Sequence, residues 1–248
     1  MVKKTLSLVL SAVLLFACLA VPAFAEETAT FSTAAEVNGF VVMDRSFTTP
    51  MRLVPATLTA DGVSRGVYFI AMLGYKSNRA QVNSGASLFP AAFGLRNPYF
   101  DFAKQTILEN VPEGSALVLG GHSLGGMVAQ KLRVDPDLKE RYEIVNVLTC
   151  GSPLIMIDES AAEGTLVRMA DVNDAVPFLS PATLVCLSRQ IRTAVREDGG
   201  YAFDPDSAHN DSYARADLWG GYDALGVKGG NASLSFDPAT VVSYGVAE

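Results

Sequence analysis

The stretch from Ser115 to Val134 reads SALVLGGHSLGGMVAQKLRV. A short apolar run leads into glycines at 120 and 121. After three intervening residues come glycines at 125 and 126, and then residues with helical spacing. This order predicts a strand over 115–121, a tight turn at Ser123 and a helix over 124–134. The small neighbours let the chain reverse sharply and project the serine hydroxyl outward. The helix N-terminus beneath the turn carries positive partial charge, suited to a developing oxyanion. A five-residue Gly-x-Ser-x-Gly match is weak alone. Strand before and helix after are what turn it into a candidate nucleophile.

The rest of the chain supplies a sheet for this unit. ATLTADGVSRGVYFIAML (56–73) predicts a hairpin turning at Asp61-Gly62. YFDFAKQTILENV (99–111) has helical spacing. YEIVNVLTCGS (142–152) and GTLVRMADVND (164–174) are apolar strands. FVVM (40–43) predicts a further short strand, residues 26–37 a polar leader, and SYARADLWGGYDAL (212–225) a final helix. Alternating strands and helices imply an α/β fold, with a central, mostly parallel sheet flanked by helices.

Before that sheet lies MVKK, then an apolar run ending in Ala23-Phe24-Ala25. This pattern is that of a secretory signal peptide cleaved after Ala25, leaving 26–248 as a single domain. A lipid anchor at Cys18 is the minor alternative. Cleavage removes Lys3 and Lys4 and no acid, taking the formal charge from −7 to −9. With no basic cluster, nucleic acid is excluded as the expected partner. Hydrophobic residues at 49% suffice for a sizeable core, and charged residues at 18% argue against disorder. Cys150 and Cys186 remain, either paired or as two separate thiols. Two histidines, His122 and His209, leave no expected metal site, and no cofactor is called for.

A serine hydroxyl needs a base. His122 adjoins Ser123 and is expected to pack beneath the turn, which leaves His209, in a polar loop, as the base. The base needs an orienting acid. Asp171 and Asp174 are the candidates. Asp171 falls within the predicted strand, whereas Asp174 lies where the strand gives way to a loop and its side chain has more reach. The order Ser123, acid, His209 is that of α/β-hydrolases.

Residues 67–225 resemble the class 3 (fungal-type) lipase family of α/β-hydrolases. GGHSLGGMVAQ resembles that family's elbow, VNVLTCGSP its next strand and turn, and RMADVNDAVPFLSP its arginine-led segment ending in D-x-V-P. The resemblance implies Ser123, Asp174 and His209 as the catalytic residues, with Asp174 rather than Asp171 as the acid. It implies a secreted lipase or carboxylesterase acting on a small-molecule or lipid ester, with lipid-surface contact. The expected state is a monomer. It also implies a lid, for which the apolar SGASLFPAAFGL (84–95) is placed; an ordinary packed loop is the other reading. The family commonly has serine or threonine after the glycine that ends the preceding strand. Here Tyr75 follows Gly74, so the oxyanion hole is expected to use backbone N–H groups of Leu124 and Tyr75. Phospholipid or polymer-linked esters, and a non-catalytic binding module on the same scaffold, are the competing functions.

Overall fold

A computed structural model describes residues 28–42, 49–75, 82–155, 158–189 and 193–245 of the chain. The expected signal peptide, with Cys18, lies outside the described residues. The chain enters with a short strand, β1 (Ala29–Phe31), and a helix, α1 (Ala34–Val42). This corrects the polar leader expected at 26–37 and the strand expected at 40–43. The cause is local. The Glu36 carboxylate accepts from the Ser32 N–H at 2.7 Å and the Thr33 N–H at 2.9 Å, while Glu36 N–H reaches Thr33 Oγ1 at 3.4 Å. That capping box starts a helix whose β-branched end reads as strand.

The hairpin forms as expected from β2 (Met51–Ala60) and β3 (Val63–Met72). Asp61 and Gly62 both take positive φ, 51° and 76°, the geometry that a two-residue turn between twisted strands requires. Then come α2 (Gly85–Ala92), α3 (Pro98–Asn110), β4 (Ala116–His122), α4 (Leu124–Leu132), α5 (Pro136–Arg141) and β5 (Glu143–Cys150). The stretch 84–95 thus holds a helix over Gly85–Ala92 rather than a plain loop. Asp135-Pro136 ends α4 and also opens α5, because the Asp135 carboxylate accepts from Asp137 and Leu138 N–H.

The C-terminal part holds β6 (Thr165–Asp171), α6 (Pro181–Ser188), β7 (Val195–Glu197), α7 (Pro205–Asn210), α8 (Ala216–Trp219), β8 (Ser233–Phe236) and β9 (Val242–Tyr244). The single helix expected over 212–225 is not formed. Arg215 is extended, with φ −78° and ψ 119°, and separates a 3-10 turn at Ser212–Ala214 from α8. Gly220-Gly221 follows and ends the helical run.

The nine strands among the described residues join one sheet in the order β1-β8-β2-β3-β4-β5-β6-β7, with β9 also on β2. From β3 to β7 every pairing is parallel; the hairpin, β1, β8 and β9 form an antiparallel wing. Every residue of β4 is buried, as an apolar strand covered on both faces must be. One core layer packs Ile70, Leu117, Leu119, Leu124, Val128 and Ile107 together; the other packs Val37, Phe69, Val118, Leu148, Tyr213 and Trp219. The parallel order brings the carboxyl ends of β3, β4, β5 and β6 to one edge. Gly74, Ser123, Gly151 and Asp174 come just after those ends, where open α/β sheets place their ligands. Cys150 is buried at the end of β5 and Cys186 is partly exposed on α6; both are free thiols.

Candidate active site

Ser123 joins β4 directly to α4 and takes φ 52° and ψ −120°. An L-residue avoids this region, and holding a serine there stores strain. The strain is held from both sides. The Ser123 N–H donates to the Cys150 carbonyl at 3.0 Å, and its own carbonyl accepts from Gly126 N–H at 3.1 Å. The glycines of the motif are steric necessities. A Cβ on Gly121 would stand 2.6 Å from the Gly125 carbonyl oxygen. One on Gly125 would overlap the Met72 carbonyl, and one on Gly126 would stand 2.5 Å from Ser152 Cβ. The elbow closes only because these positions lack side chains.

His209 lies on α7 rather than in a loop. Asp204 caps that helix by accepting from Ser207 N–H at 3.0 Å, with Pro205 following. His209 Nδ1–H donates to Asp174 Oδ2 at 2.8 Å. Asp174 is 1% exposed. Its Oδ1 accepts from Val176 N–H at 2.9 Å, and its Oδ2 also accepts from the Tyr213 hydroxyl at 2.7 Å. Asp171 does not meet His209 through any described bond. It is fully buried at the end of β6, and its Oδ1 accepts from Asn173 N–H at 2.8 Å.

Three further residues of this site escaped the sequence reading. Tyr213 takes the Asp171 N–H at 3.1 Å and passes its own proton toward Asp174. Burial, and then the Asp174 charge, push its hydroxyl well above the ordinary tyrosine range. Tyr213 lies in the 3-10 turn just beyond α7, and no sequence signal marks it. Tyr213→Phe is expected to leave the Asp171 N–H without a partner and cost about 1–3 kcal/mol of stability; urea unfolding with an unchanged midpoint would contradict this. Arg168, from the arginine-led segment, is 3% exposed and staples three loops. It donates to the carbonyls of Ser152 at 2.7 Å, Thr193 at 2.8 Å and Pro177 at 3.2 Å. Burial pulls its guanidinium down to about 10, so it stays charged at neutral pH. Gly151, at φ 61°, is the third. A Cβ there would press on the rings of Tyr213, His122 and His209 at 3.0–3.1 Å.

His122 is buried, as expected, but it is not idle packing. Its ring lies 4.6 Å from that of His209, and its Nε2–H donates to the His209 carbonyl at 2.9 Å. The helix that carries His209 is therefore tied to the elbow at its backbone, and to the loop after β6 through Asp174.

A cleft of about 650 Å³ opens over these residues. It is lined by Val41 and Val42 of α1, by Leu73, Gly74 and Tyr75, by His122 and Ser123, and by Asp206, His209, Asn210 and Asp211. Ser123 and His209 face one space, with Asp174 buried behind the histidine. Of the residues placed at the oxyanion hole, Tyr75 lines the cleft and Leu124 is the buried first residue of α4. Gly74 lies close against the elbow: a Cβ there would sit 3.2 Å from Ser123 Cβ.

Comparison with known proteins identifies a family. The family model for class 3 lipases matches residues 63–184, from β3 through the elbow and Asp174 into α6. His209 lies beyond the matched residues and joins the site through the fold. No curated protein and no solved structure is significantly similar to the chain. With its mixed sheet, parallel at the centre and flanked by helices, the chain belongs to the class 3 lipase family of α/β-hydrolases, a family of lipase and esterase hydrolases.

Proposed function

We propose that the chain is a secreted serine ester hydrolase working through an acyl-enzyme on Ser123. One observation carries the reading. A serine held at φ 52° at the head of a helix shares a cleft with a histidine whose Nδ1 is bonded at 2.8 Å to a buried aspartate. With Nδ1–H committed to Asp174, the Nε2 of His209 is the lone-pair nitrogen. It takes the Ser123 proton as Oγ attacks an ester carbonyl. The tetrahedral oxyanion is met by the N–H of Leu124, backed by α4, and by the N–H of Tyr75. His209 returns the proton to the departing alcohol. Water, deprotonated by His209, then releases the acid and frees Ser123.

The proposed substrate class rests on exposed apolar side chains in the segment after β3. Phe89 is 75% exposed, Phe93 52% and Leu95 59%, all in or just after α2, on the segment that follows β3. Exposed apolar side chains of this kind suit contact with a lipid surface, and α2 is the segment proposed to act as a lid. Acylglycerols and related carboxylic esters are the proposed substrates. Export rests on the basic start and the apolar run to Ala25.

The test is turnover of p-nitrophenyl esters of increasing chain length by the purified chain, followed through the solubility limit of the ester. Turnover is expected throughout, with a rise once substrate aggregates. Absence of turnover on every ester would overturn the hydrolase reading. A smooth profile through the limit would overturn the lid.

A further inference from the structure

Resting on the acyl-enzyme reading, we infer that Asn83 is the positioning residue of the oxyanion hole. Its side chain stands in for the hydroxyl that Tyr75 does not supply. Asn83 is fully buried, just ahead of α2. Its Nδ2–H donates to the Gly74 carbonyl at 2.7 Å. That carbonyl and the Tyr75 N–H belong to one peptide unit. Peptide bonds among the described residues are all trans, so carbonyl and N–H point in opposite directions from a shared plane. Anchoring the carbonyl on the buried Asn83 turns the Tyr75 N–H the other way. Gly74 and Tyr75 line the cleft and Asn83 does not, so the other way is toward Ser123's side. A carbonyl that accepts a hydrogen bond also polarises its amide and strengthens the N–H as a donor.

The neighbouring peptide is held in the same manner. The single Tyr99 hydroxyl proton is shared between the Pro50 carbonyl at 2.5 Å and the Leu73 carbonyl at 3.2 Å. Asn83 itself is fixed by its surroundings. The Ser87 hydroxyl donates to the Val82 carbonyl at 2.6 Å and accepts from Tyr99 N–H at 3.0 Å. Two successive carbonyls at the end of β3 are thus gripped from α3 and from the start of α2.

A second observation separates this role from plain packing. Asn83 Oδ1 is buried with no hydrogen-bond partner among the described residues. An apolar side chain of like volume would avoid that unpaired acceptor. The amide is therefore poorly explained by stability and well explained by the one bond it makes.

The experiment is a double-mutant cycle. Asn83→Leu keeps the volume and deletes the donor. Tyr75→Pro deletes the N–H itself. For a soluble p-nitrophenyl ester, Asn83→Leu is expected to lower kcat about 30-fold, short of the 10²–10³ typical of losing a whole oxyanion donor. KM should change less than twofold. Affinity for a boronic acid that forms a tetrahedral adduct should fall in step with kcat, and urea unfolding should show a variant still fully folded under assay conditions. In the Tyr75→Pro background, Asn83→Leu should add nothing further. Should Asn83→Leu not fold, Asn83→Ala gives the same readouts. A kcat within threefold of the native chain, or losses that multiply across the cycle, would overturn the inference while leaving the hydrolase reading intact. An inactive native chain would overturn both.

Discussion

Ser123→Ala is expected to lower kcat for a soluble ester by about 10⁵-fold or more, leaving only what the oxyanion donors and binding provide. The fold should survive unchanged. The Ser123 side chain makes no capping hydrogen bond to α4, so the hydroxyl contributes little to stability. Its backbone at φ 52° strains alanine as it strains serine. Ser123→Gly makes the complementary case: it relieves the Cβ and should raise stability by up to about 1 kcal/mol while abolishing turnover equally. A chain that becomes more stable as its nucleophile is removed would show where the strain is stored. An alanine variant with native kcat would contradict the role of Ser123.

His209→Ala is the second large effect, expected at about 10⁵-fold in kcat, and the two losses should not add. Once the hydroxyl is gone the base has nothing to deprotonate, so the Ser123→Ala, His209→Ala double variant should be no slower than either single one. Asp174→Asn tests the same chain one step back. It leaves an oxygen and an amide near His209 Nδ1 but removes the charge that stabilises the imidazolium, and a loss of about 10⁴-fold is expected. Multiplying losses in the double variant would mean that the two residues act in separate steps.

The elbow was legible because sterics leave it few solutions. Gly121, Gly125 and Gly126 face backbone or side-chain atoms at distances no Cβ tolerates, and those constraints are written directly in GGHSLGG. Asp174 was legible because it follows the end of a strand, and His209 because there are two histidines in all. What failed was set by contacts across the chain. Tyr213 bonds Asp174 from 39 residues away, and nothing in SYARADLW marks it. Asn83 is one polar residue in a loop-like run until the fold carries it to Gly74. The helix at 34–42 was hidden because Val41 and Val42 favour strands, while its real signal was Thr33 and Glu36 at capping-box spacing. β8 and β9, of four and three residues, are strands because β2 pairs with both and β1 pairs with β8.

The most direct test of the central claim is the mass of the acylated chain. Mixing the protein with a slowly deacylating ester, quenching in acid and mapping the peptides should place one acyl group on Ser123, in the peptide that contains GGHSLGGMVAQ. The adduct should be absent from Ser123→Ala and form far more slowly in His209→Ala. Continued ester turnover with no acyl group on Ser123, or an adduct on another residue, would contradict the account.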